Sequence, residues 1–176
     1  MSALRGDLHI HTCLSPCADD SLTPAIAAGM AKLAGADVMA VTDHNSARNL
    51  PAAQAACRAY GLRLLPGIEV NTAEEIHLLC YFPGVEAAMQ FGALLYQALP
   101  ALPYDEKIWG RQLVTDEEDN VLDKVEKLLT GAVSLTLAEA AALCRRMCPP
   151  TRTQTAIPFS PCWAAGPWMW ISSCLK

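Results

Sequence analysis

A βα-repeat fold, with mostly parallel strands joined by right-handed crossovers, follows from three features of this sequence. Short apolar runs alternate with longer segments of helical period, and turn-forming residues separate them. One run, Val38 to Val41, is apolar throughout, as suits a strand covered on both faces in a parallel sheet. The chain has 176 residues, 52% of them hydrophobic, enough for one sizeable core but not two.

Leu4 to Thr12 reads as the first strand, and Cys13 to Ser21 as a loop holding Pro16 and the pair Asp19-Asp20. Thr23-Pro24 is a helix start, a capping hydroxyl followed by proline at the first helical position. Ile26, Met30 and Leu33 then recur at helical spacing, and Gly35 closes that helix. Asp37 to Thr42 is the second strand, followed by the loop Asp43-His44-Asn45-Ser46. An alanine-rich helix runs from about Leu50 to Tyr60 and ends at Gly61. Leu62 to Pro66 is a third strand leading into Gly67-Ile68-Glu69-Val70, and Ile76 to Phe82 a fourth. A third helix, Val85 to Leu99, places Val85, Ala88, Phe91, Leu95 and Ala98 roughly on one side.

From about 100 to 130 the pattern breaks, with Pro103, Trp109 and the acidic run Asp116-Glu117-Glu118-Asp119. This reads as an excursion whose acidic part is a solvated loop. Thr136, with Glu139 three residues on, forms a capping box opening a helix to about Met147. Residues 149–176 are rich in Pro, Trp, Cys and Ser, with neither helical period nor strand alternation. The chain thus divides into a domain at 1–148 and an atypical tail at 149–176, expected to be disordered or out of frame.

Composition narrows the partners. A net charge of −5 argues against a strong nucleic-acid footprint, which would be basic, but leaves room for a nucleotide-sized substrate. No apolar run approaches the roughly 20 residues of a membrane span. Met1 to Asp7 lacks the apolar stretch of a signal peptide, so a cytoplasmic location is expected. None of the eight cysteines forms a CxxC pair, and reduced thiols are the reading, with a disulfide framework as the alternative.

The chemistry lies in a scattered set of polar residues. His9 and His11 stand two apart in a strand, so both imidazoles point to one face. His44 follows the second strand, Glu69 the third, and His77 lies near the start of the fourth. Asp19 and Asp20 lie in the first loop. In βα folds the loops after the strands share one rim, where ligands bind. Five or six nitrogen and oxygen donors on one rim exceed what a tetrahedral zinc needs. A cluster of two or three divalent ions suits them better, imidazole favouring Zn and Fe and carboxylate favouring Mn.

Asp7-Leu8-His9-Ile10-His11-Thr12, Thr42-Asp43-His44-Asn45 and Pro66-Gly67-Ile68-Glu69 resemble the first three motifs of the PHP (polymerase and histidinol phosphatase) superfamily. The likeness covers about residues 4 to 147 and is strongest to the stand-alone metal-dependent phosphoesterases. It implies a distorted seven-stranded βα (TIM-like) barrel, a site for up to three divalent metals (Mn, Zn or Fe), and hydrolysis of phosphate esters. By position it makes His9, His11, Asp19, His44, Glu69 and His77 metal ligands, with Glu69 bridging two ions. Asp20 is a rival to Asp19, because the loop is longer here than in the family. Asp43 is read as orienting His44 or a metal-bound water.

The resemblance fails after the last helix. The family's later Pro-x-His and Asp-x-His motifs are absent, and no histidine follows His77. Ala156-Ile157-Pro158 resembles only the strand that should carry the first of them. A truncation or frameshift near Met147 to Pro150 is therefore expected, with the barrel incomplete at that end and hydrolysis impaired. The function implied is hydrolysis of a small phosphorylated substrate, nucleotides or oligonucleotide ends included, by metal-activated water. The alternatives are a non-catalytic metal-binding domain and an inactive truncated product.

Overall fold

The computed structural model describes residues 4–102, 104–148 and the short strand 157–158. The expectations for Pro103 and, apart from 157–158, for the tail lie outside the described residues. Five strands form one sheet in the order β1-β2-β3-β4-β7: β1 (Gly6–Ile10), β2 (Val38–Val41), β3 (Arg63–Asn71), β4 (His77–Tyr81) and β7 (Ile157–Pro158). A separate two-stranded ribbon joins β5 (Leu113–Thr115) to β6 (Val121–Lys124). The helices are α1 (Pro24–Leu33), α2 (Leu50–Tyr60), α3 (Val85–Ala98), the single turn α4 (Glu106–Trp109) and α5 (Leu137–Met147). The result is a mixed α/β fold.

Local chemistry sets most boundaries. Thr23 caps α1 by accepting from the Ile26 amide, with Pro24 behind it. Gly61 ends α2 at φ 66°, in the left-handed region glycine tolerates. Thr136 and Glu139 close a reciprocal capping box at the start of α5. The apolar repeat of α1 marks the helix but not its buried face. Ile26, Met30 and Leu33 are exposed, while Ala27, Ala28 and Ala31 are buried. Small side chains let α1 pack closely against α2, and the larger ones remain outside.

Strand direction departs from the expected parallel pattern. β1, β2 and β3 are parallel, but β4 runs antiparallel to β3, pairing Asn71 with His77 and Gly67 with Tyr81. The link between β3 and β4 is too short for a crossover helix, so the chain can only turn back. The strand suggested at Ala156 to Pro158 has its counterpart in β7, which pairs with Leu78 and Leu79.

The sheet is curled. β1 and β4 are three strand spacings apart, about 14 Å in a flat sheet. Yet the Tyr81 hydroxyl of β4 donates to the Leu8 carbonyl of β1 at 2.7 Å. Gly67 permits the close approach at the centre of this curl, since a Cβ there would lie 2.6 Å from Thr42 Cγ2 and 3.1 Å from the Tyr81 ring. Behind the sheet, Met39, Ile68, Leu78, Phe82, Phe91 and Leu95 fill a core closed by the helices.

The excursion is not a strand of the main sheet. Its acidic run turns the β5–β6 ribbon, with Asp116 accepting from the Glu118 and Asn120 amides. Its base docks on the loop after β1, where the Leu113 amide donates to the Cys13 carbonyl at 2.8 Å. No helix among the described residues is long and apolar enough to cross a membrane. Cys13, Cys17, Cys57, Cys80 and Cys144 carry no disulfide.

Candidate metal centre

Three parallel strands and one reversal bring the predicted donors together. His9 is the penultimate residue of β1 and His11 follows the strand, both side chains turned the same way by the two-residue period. His44 follows β2, where the Asn45 amide donates to the Glu69 carbonyl at 2.8 Å. Glu69 lies within β3, not after it, and is 3% exposed. His77 opens β4, and because β4 runs backwards its first residue lies beside the end of β3.

Glu69 is the centre of the group. Its Oε2 lies 2.7 Å from His11 Nε2, 3.0 Å from His9 Nε2 and 3.4 Å from His44 Nδ1. Its other oxygen, Oε1, lies 2.8 Å from His77 Nδ1. One carboxylate thus turns one oxygen to three imidazoles and the other to a fourth. Donor atoms of His9, His11 and Glu69 lie within 4.8 Å of one another, and so do those of His44, Glu69 and His77.

The electrostatics suit a cation. Burial alone would raise the Glu69 carboxyl, but the His11 and His9 imidazoles and the charges around it outweigh that and hold it well below the usual range. Burial likewise opposes a charge on His11, yet Cys17, Glu69 and Asp43 together push it up to about 10. His44 goes the other way, down to about 4, because it is buried and faces His11. Its Nδ1 is buried and makes no hydrogen bond. A neutral imidazole with an orphaned, buried ring nitrogen is the form in which histidine ligates metal. On that observation the residues present fit a divalent ion.

Asp43 works one layer behind. Buried, and with its carboxyl raised by that burial, it accepts from the Thr12 amide, the Thr12 hydroxyl and the Ser15 hydroxyl, each at 2.7 Å. The Ser15 hydroxyl in turn accepts from the His44 amide at 3.0 Å. Asp43 therefore fixes the backbone that presents His44. Asn45 adds a second tether at φ 47°, donating to the carbonyls of Leu129 and Gly131.

The two loop aspartates have partners of their own within and beyond the loop. Asp19 Oδ1 accepts from the Ser21 amide and hydroxyl at 2.8 and 2.6 Å. Asp20 pairs with Arg111 at 2.6 Å. Sequence reasoning did not single out Cys17, whose Sγ lies 3.0 Å from His11 Nδ1. Its only signal in the chain was its place in the loop after the histidine pair.

The two shifted imidazoles predict a stability maximum near neutrality once ions are chelated. Below 6.5 the unfolded His44 takes up a proton that the folded one refuses until about 4, so stability falls as pH drops through that window. His11 contributes stability that is complete below 6.5 and lost as pH rises towards 10. Asp43 partly opposes the loss at the acid end. Urea unfolding in the presence of a chelator checks this, and a curve flat from 6.5 to 10 would remove the His11 proton from the account.

Comparison with known proteins gives a family match. The model of a family described as the PHP domain matches residues 7–139. No curated protein matches the chain. Among solved structures, the chain is similar to a protein from Bifidobacterium adolescentis assigned as a metal-dependent phosphoesterase. That likeness has 26% identity and a TM-score of 0.44, covering 53% of this chain and 32% of the other. An amidohydrolase from Chromobacterium violaceum gives 28% identity and a TM-score of 0.43 over the same shares, 53% and 32%. The lesion-specific endonuclease PfuEndoQ from Pyrococcus furiosus gives 19% identity and a TM-score of 0.49, covering 83% of this chain and 33% of that one. The chain spans about a third of the length of each of these solved chains.

Proposed function

The chain belongs to the PHP domain family, and from that membership we propose that it is a metal-dependent hydrolase of phosphate esters. The observation that carries this is the buried Glu69 carboxylate facing four imidazoles, beside an orphaned His44 nitrogen. On this reading the curled sheet is part of the distorted βα barrel that the family resemblance implies.

His9, His11 and Glu69 would hold one ion, and His44 and His77 a second across the same carboxylate. Divalent ions in such a site supply an activated water at neutral pH and neutralise charge developing on the phosphoryl group. The chain's own residues hold geometry and charge. Glu69 keeps the imidazoles converged, and Asp43 with Ser15 keeps the His44 backbone in place. No protein nucleophile is required. The substrate proposed is a small phosphorylated molecule, nucleotides and oligonucleotide ends included, in a soluble cytoplasmic setting.

Chelated protein reloaded with Mn²⁺, Zn²⁺ or Fe²⁺ tests this on p-nitrophenyl phosphate, a phosphate bis-ester and a nucleotide bisphosphate. The expected result is metal-dependent turnover of at least one ester. Failure to take up any ion overturns the reading.

One observation favours a second reading. The histidine and glutamate donors among the described residues number five and suffice for one ion or two, and no histidine follows His77 in the sequence. A metal-binding domain with weak or no turnover fits that donor set. Bound ions that raise the melting temperature without any hydrolysis would select it.

A further inference from the structure

We propose that Cys17 is a metal ligand, its thiolate completing a site with His11 and His44 as an alternative to the Glu69-centred grouping of those two imidazoles, so that the loop after β1 contributes sulfur and not a carboxylate. The inference rests on the metal-dependent reading above and names the kind of ion that the site selects.

Four observations converge. Cys17 Sγ and ring nitrogens of His11 and His44 all lie within 4.8 Å of one another. The His11 ring stands between two sets of donors, its Nε2 turned to Glu69 and its Nδ1 to Cys17. His44 is 5% exposed and carries a buried ring nitrogen with no hydrogen bond. Each carboxylate of the same loop has another partner, Asp19 Oδ1 with Ser21 and Asp20 Oδ2 with Arg111.

The loop is held in this arrangement from both sides of Cys17. Ser15, two residues before, is tied to Asp43 and to the His44 amide. Pro16 is closely approached by Gly110, where φ is +91° and an added Cβ would lie 2.7 Å from the Pro16 carbonyl oxygen. Arg111 then anchors Asp20 three residues after Cys17. Cys17 itself is exposed, so an ion can reach it from solvent.

Sulfur changes the chemistry of the site. A coordinating thiol is deprotonated, its proton leaving to solvent as the metal–sulfur bond forms. Thiolate with imidazole selects Zn²⁺, Fe²⁺ or Co²⁺ over the harder Mn²⁺ and Mg²⁺, which prefer oxygen. An all-carboxylate loop would show the opposite preference.

Cobalt reports the sulfur directly. Chelated full-length protein is titrated with Co²⁺, and its absorption is recorded beside that of Cys17→Ser, Asp19→Asn and Asp20→Asn. A thiolate-to-cobalt charge-transfer band in the near ultraviolet is expected in the parent and in both aspartate variants, and is expected to vanish in Cys17→Ser. The visible cobalt bands of the remaining nitrogen and oxygen ligands should persist in that variant, showing that it is folded and still binds ions. Cobalt uptake without any thiolate band in the parent overturns the proposal and leaves the hydrolase reading standing. A band that survives Cys17→Ser overturns it too, by placing the thiolate elsewhere. Absence of cobalt binding altogether overturns both readings.

Discussion

Replacing Glu69 by glutamine is expected to abolish tight ion binding and, with it, any metal-dependent turnover. Glutamine has nearly the same shape, so the packing of β3 between β2 and β4 is preserved. What disappears is the one negative charge that four imidazoles face, at 2.7 to 3.4 Å. The new amide group also presents N–H donors to nitrogens that must themselves be acceptors in order to bind an ion. Removing one member of a buried, charge-paired group costs about 3–5 kcal/mol. Loss of an outer-shell partner alone costs about 10- to 100-fold in metal affinity, and loss of the carboxylate ligand itself is expected to exceed that. Calorimetric titration with Zn²⁺ and Mn²⁺ measures it, with an ester assay alongside. His77→Gln should cost much less, because His77 is an exposed outer member that meets the carboxylate through its second oxygen and packs edge-on against His44. If Glu69→Gln binds ions as tightly as the parent, the carboxylate is not the bridging ligand.

Asp43→Ala is expected to produce the largest loss of stability of any single change near the site. Three donors converge on this carboxylate, the Thr12 amide, the Thr12 hydroxyl and the Ser15 hydroxyl, and all are buried. Alanine leaves them without an acceptor and opens a small void. Each hydrogen bond to a charged group contributes about 1.5–3 kcal/mol and an orphaned buried donor costs about 1–3 kcal/mol, the sum being less than additive. A loss of about 3–5 kcal/mol follows, read by urea unfolding in the presence of a chelator. Asparagine should rescue only part of it. The Thr12 hydroxyl oxygen already accepts from the Leu14 amide and from Asn49 Nδ2, so it needs an acceptor and not another donor. A stability change below about 1 kcal/mol in Asp43→Ala would show that the loop after β1 is held by other contacts.

Helices and their ends were largely legible in the chain. Thr23-Pro24, Gly61 and the Thr136–Glu139 box act through neighbouring residues only, so their meaning does not depend on the rest of the fold. The face that α1 buries was not legible in the same way. Its larger apolar residues give the stronger periodic signal, but close packing against α2 admits only the alanines. The second partner of the loop after β1 was also hidden. Leu113 and Arg111 reach that loop from nearly a hundred residues away, and nothing local marks such a contact.

For the site, the sequence by itself determined which residue types could converge. His9 and His11 share a face because strand side chains alternate with a period of two. The family motifs then singled out His44 and Glu69. Tertiary structure alone decided three things. It supplied the path by which His77, already implied by the family resemblance, reaches Glu69, since the first residue of a parallel β4 would lie at the far end of the sheet and only the antiparallel turn returns it. It paired Asp19 with Ser21 and Asp20 with Arg111, and it brought Cys17 to 3.0 Å from His11. It also curled the sheet enough for β1 and β4 to touch through Tyr81. Pattern and spacing fix which way a side chain points along its own strand. Strand direction, loop path and sheet curvature come from packing between distant segments, and in this protein they set which donors meet.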